Sequence, residues 1–132
     1  MTKTMQWIEV ADYPVTDYLV RAPIIFGQNA FYVFGGSNSG TSSSIIQRLD
    51  AIDLSWSEAG RLTKARRGHN VIFYGADIFV VGGSTVYDDS SFTTEKCTIA
   101  NTKITCTEQL PTIEYYEDWP ELFLVPELFC KN

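Results

Sequence analysis

The sequence predicts an all-β protein built from a repeated unit of four short strands. Three observations carry that reading. The segment GQNAFYVFGGS, starting at Gly27, is matched by YGADIFVVGGS, starting at Tyr74, so an apolar strand ending in Gly-Gly recurs after 47 residues. Trp56, in LSWSEAGRL, has counterparts in Trp7, 49 residues earlier, and in Cys106, 50 residues later. Between these markers lie short runs rich in Val, Ile, Phe, Tyr and Thr, bounded by Gly, Asn, Asp, Ser or Pro, and no window carries a helical period.

The elements follow in order. The first unit places strands at residues 18–26, 31–34, 45–52 and 54–59, and the second at 69–74, 77–81, 92–99 and 103–108. Trp7 then marks the last strand of a preceding unit and PELFLV, residues 120–125, the first strand of a following one. The chain divides into 1–16, 17–62, 63–111 and 112–132, with both ends expected to fall inside a unit. A twisted four-stranded sheet buries its faces only against neighbours, so repeats of this length suit the blades of a β-propeller. Glycines at the end of a buried strand accept backbone angles and close approach that a Cβ forbids, so Gly35, Gly36, Gly82 and Gly83 read as structural. Trp7 and Trp56 offer large apolar bodies for packing between sheets.

Composition narrows the function classes. With 132 residues, 45% of them apolar and 14% aromatic, the chain can bury a core. Sixteen acidic against ten basic residues give a net charge of −6, which repels phosphate backbones, so no nucleic-acid partner is expected. No apolar run approaches the roughly 18 residues needed to span a bilayer, so no membrane partner is expected either. The N-terminus lacks the apolar core of a secretory signal, which suits a cytosolic protein or an internal or processed piece.

The Gly-Gly strands, Trp56 placed 20 residues after Gly36, and the join ARRGHNVIFYGADIFVVGG starting at Ala65 resemble the kelch family. The resemblance covers nearly the whole chain. It implies an all-β kelch-type propeller segment of about two blades, incomplete at both ends, and a non-enzymatic binding or scaffold module that meets a protein or matrix partner through its loops. The sequence departs from the family at Cys106, where the second Trp would stand, and at Ile52 and Ile99, where a Tyr is usual. Two alternatives remain. One is a building block whose exposed blade edges join other chains in a ring or fibre. The other is part of a kelch-type oxidase, resembling the copper radical oxidases, whose active site lies in other blades; one His cannot furnish such a copper site here.

His69, the single imidazole, sits in the join ahead of an inner strand and reads as structural, since no acid or nucleophile partner for a general base can be identified. Lys64, Arg66 and Arg67 reverse the acidic character locally; a solvated or packing role is the first reading and recognition of an acidic partner the second. The polar loops 37–44 and 84–91 read as mobile connectors, with Tyr87, Asp88 and Asp89 as a possible contact for a basic or carbohydrate ligand. Glu114, Glu117, Asp118 and Glu121 interleave with aromatics in a connector and lack the fixed cleft of a glycosidase pair.

The cysteines are the sharpest local signal. A turn over residues 100–103 would set Ile99 opposite Ile104, Thr98 opposite Thr105 and Cys97 opposite Cys106. Directly opposed residues have Cβ atoms about 4.5–5.5 Å apart, close to disulfide geometry, so a Cys97–Cys106 bond is predicted. Two reduced thiols packing where Trp would otherwise sit are the alternative. The bond favours an extracellular or secreted location, with a cytoplasmic one as the alternative. Cys130 is left over, and three Cys with one His and no Cys-x-x-Cys match no zinc spacing. No catalytic residue, metal or cofactor is expected.

Overall fold

The computed structural model describes residues 9–14, 19–85 and 93–109. Eleven strands and no helix occur among them: β1 (Leu19–Val20), β2 (Ile24–Gly27), β3 (Ala30–Phe34), β4 (Ser37–Asn38), β5 (Thr41–Ser42), β6 (Ile45–Asp50), β7 (Trp56–Arg61), β8 (Asn70–Tyr74), β9 (Asp77–Val81), β10 (Thr94–Ala100) and β11 (Lys103–Gln109). The all-β class is therefore as the sequence predicts.

Eight of these strands make two antiparallel meanders, β2-β3-β6-β7 and β8-β9-β10-β11. The last strands of the two pair in parallel, Ile104 opposite Gly60 and Thr105 opposite Arg61. At the other end β2 approaches β8, where a methyl group on Gly27 would stand 2.7 Å from the Phe73 ring. The eight strands thus form one nearly closed, barrel-like sheet. Tight hairpins set the registers. Gln28 and Asn29, and again Asn101 and Thr102, take positive φ in two-residue loops, the backbone that matches the right-handed twist of the flanking strands.

Several strand limits differ from the sequence reading. The expected strand over 18–26 is divided, because Arg21 takes a φ of 59° and Pro23 follows, so β1 leaves β2 and pairs with β4 instead. The 45–52 strand stops at Asp50, whose Oδ1 accepts the N–H groups of Ile52 at 2.8 Å and Asp53 at 3.2 Å and turns the chain. Leu54, with a φ of 59°, falls in that turn, and β7 begins only at Trp56. The loop 37–44 is not a plain connector. Its Ser and Thr backbone pairs as the hairpin β4–β5, which with β1 makes a small three-stranded sheet.

The core lies between the meanders. Ala30, Tyr32 and Phe34 face it from the first meander, and Val71, Ile78, Val80, Cys97 and Ile104 from the second. Side chains alternate along a strand, so the intervening positions turn away from this core. Along the 47-residue repeat Phe31 and Val33 correspond to Ile78 and Val80, and Tyr32 and Phe34 to Phe79 and Val81. The inward residues of one meander are therefore the outward residues of the other. Across the first meander one outward row runs Phe26–Phe31–Leu49–Trp56, and its counterpart, facing inward, is Phe73–Ile78–Cys97–Cys106.

Candidate functional site

The join between the meanders, residues 62–69, gathers most of the side chains that the sequence singles out. It is held against two glycine corners. Gly36 and Gly83 have φ of 91° and 86°, a left-handed backbone that favours glycine. A methyl group on Gly83 would lie 2.7 Å from the Arg67 carbonyl oxygen, and the Gly36 N–H donates to the Arg66 carbonyl at 2.9 Å. Arg67 and Ser84 exchange two backbone hydrogen bonds of 2.9 Å, repeating the Val20–Ser37 pairing of the first unit. The join is thus stapled to the ends of both β3 and β9.

Arg66 is carried inward and is fully buried. Its Nη1 donates to the carbonyls of Gly82 at 3.0 Å and Thr93 at 2.6 Å, and its Nη2 to Thr93 Oγ1 at 2.8 Å and Glu95 Oε1 at 2.7 Å. Glu95, equally buried, also accepts the backbone N–H groups of Thr63 at 2.7 Å and Lys64 at 3.3 Å. Burial pulls the Arg66 pKa down, and Glu95 opposes it by charge and hydrogen bond. Arg66 is therefore a clasp between join and second meander and is not available to an external acidic partner. Glu95 and Thr93 went unread in the sequence. The signal was the two-residue spacing of Glu95 from Cys97, which places both on one face of β10.

The other cations are more accessible. Lys64 is exposed and lies 3.7 Å from Glu108, while Arg67 is half-buried. His69 is 4% exposed, and neither ring nitrogen meets hydrogen-bond geometry with a partner. Its pKa is held down to about 3, first by burial and then by the Arg66 charge; the Phe34 backbone pulls weakly the other way. The imidazole is neutral near pH 7 and wedged between the two corners, since a methyl group on Gly35 would lie 3.0 Å from its Cε1 and one on Gly83 2.8 Å from its Cβ. This is a packing position.

Cys97 and Cys106 are disulfide-bonded with Cα atoms 4.0 Å apart, in the expected register. Glu95 lies beside them, its carboxylate within 4.8 Å of both sulfurs, but the bonded thiols and the engaged carboxylate leave no free ligand set. Trp56 is on the outward side of the first meander rather than in the core, with the Tyr13 ring edge-on at 4.9 Å. Trp7, Tyr87, Asp88, Asp89, Cys130 and the acidic-aromatic stretch lie outside the described residues.

Two hollows lie on the described surface. One of about 420 Å³, at the β4–β5 hairpin, is lined by Asn38, Ser39, Thr41, Ser42, Arg61 and Ala65 among others. The second, about 440 Å³, lies on the outward side of the first meander against Tyr13, Leu19, Ile24, Val33 and Trp56. No helix long and apolar enough to cross a membrane occurs among the described residues. No protein-family model matches the chain, and no curated protein matches it.

Proposed function

We propose that the two meanders are adjacent blades of a kelch-type β-propeller, and that the chain works as a non-enzymatic binding or scaffold module. The exchange of sides along the repeat carries this reading. Blades arranged around an axis present opposite faces to their two neighbours, so each repeat position must face inward in one blade and outward in the next, as the exposed Phe31 and the buried Ile78 do. The glycine corners and the join rigidify one end of this frame, where loop residues are free to vary without disturbing the core.

Recognition is assigned to the polar hollow at the β4–β5 hairpin. Hydroxyls, the Asn38 amide and Arg61 give it donors and acceptors for a polar segment of a protein or matrix partner. The disulfide accords with an oxidising compartment, and we assign the module to the extracellular space on that ground. A Thr41→Arg variant of the full chain tests the site, because Thr41 is exposed and stands outside the core. Partners captured by the parent protein should be lost by this variant at unchanged thermal stability. Equal recovery by both proteins would overturn the assignment.

A further inference from the structure

The first meander turns Ile24, Phe26, Phe31, Leu49 and Trp56 outward, and the Phe26 and Phe31 rings meet at a tilt of 51° with centroids 4.7 Å apart while remaining 56% and 40% exposed. The second turns out Ile72, Tyr74, Phe79 and Val81, with Tyr74 61% exposed. Apolar rows of this length on a described surface call for a cover. The molecule already contains the template for one. Its internal junction joins the repeat equivalents of these same rows: Phe73 and Ile78 correspond to Phe26 and Phe31, and Tyr32 and Phe34 to Phe79 and Val81.

We propose that a second copy of this chain covers them head to tail, the outward face of the first meander seating on the outward face of the next copy's second meander. The inference rests on the propeller reading. Electrostatics permit the contact, because each face carries a charge pair of its own: Glu58 with Arg61 at 2.9 Å, and Lys96 with Asp77 at 2.8 Å. The buried Arg66–Glu95 pair of the internal junction has Leu19 and Gln47 at the corresponding places, so no charge is stranded. Tyr13, on Trp56, belongs to the face, since it corresponds to the buried Leu62 of the internal junction. Where Phe73 meets Gly27 inside the chain, Phe26 meets Tyr74 of the neighbour, an aromatic pair in place of a close approach.

A contact between two different faces is heterologous, and it closes into a ring when the rotation allows. Propellers have about four to eight blades, so a ring closed by copies of the two-meander unit would hold about two to four of them. Sedimentation of the full chain should show one discrete species in that range. Phe26→Glu and Tyr74→Glu change exposed residues and should each give monomers, while an equimolar mixture of the two should recover a one-to-one dimer, because one unaltered face remains on each. A monomeric parent chain, a variant that assembles like the parent, or a mixture that stays monomeric would each overturn the proposal. Amide exchange on the same samples separates the two levels: protected strands in a monomer leave the blade reading standing, and unprotected strands overturn both.

Discussion

The two meanders share a strand order and, up to a bulge at Ile46/Gln47 in the first, a register, yet they hold the same row of positions by different means. In the first, Leu49 and Trp56 face each other across β6 and β7, on the outward side, with Tyr13 against the indole. In the second, the corresponding pair is Cys97 and Cys106, joined covalently and facing the core. The join differs in the same sense. Arg66 and Glu95 clasp the second meander where the first has Leu19 and Gln47, and His69 stands where the first has Ala22. A four-stranded meander therefore tolerates exchange between bulk, a covalent tie and an ion pair, provided that the glycine corners and the strand alternation are kept.

The largest expected effect comes from splitting the clasp. Glu95→Leu leaves Arg66 charged and buried without its counter-ion, and should lower unfolding free energy by about 3–5 kcal/mol in urea titrations. Adding Arg66→Met, which brings the site closer to the apolar first meander, should restore much of that loss. A double variant as unstable as the single one would show that the backbone contacts of Arg66, and not charge pairing, hold the join.

Next comes acid sensitivity. His69 has its folded pKa depressed to about 3 from an ordinary 6.5, so the unfolded chain takes up a proton first. Its contribution is fully present above pH 6.5 and is lost as pH falls toward 3, on the order of 3 kcal/mol by pH 4. His69→Ala, which copies Ala22, should flatten this part of the stability profile. An unchanged slope would place the acid sensitivity elsewhere.

Reduction of the disulfide should cost about 2–3 kcal/mol, since the bridged residues are only 9 apart in sequence. Cys97→Leu with Cys106→Trp transplants the pair from the first meander and should be more stable than the double serine variant, as thermal melts under reducing conditions would show. The smallest effect is expected from Lys64→Ala, which removes a 3.7 Å exposed pair with Glu108 and should shift stability by less than about 1 kcal/mol.

The sequence made the second hairpin legible to the residue, because strand alternation and a two-residue turn leave a single register that opposes Cys97 to Cys106. The glycine corners were legible for a similar reason: few other residues fit their backbone. The Arg66–Glu95 clasp was not, because its partners are 29 residues apart and meet only when the join crosses β10. The β4–β5 hairpin was hidden by composition. Its Ser, Gly and Thr suit a flexible loop equally well, and only pairing with β1 gives it order.

The exchange of sides is tested most directly by nuclear Overhauser contacts from the aromatic rings of the full chain. Strong contacts from the Phe73 ring to the Gly27 α-protons, with none from the Phe26 ring to core residues of its own chain, are predicted. A Phe26 ring in contact with Ile78 or Val80 of the same chain, and a Phe73 ring open to solvent, would contradict the account.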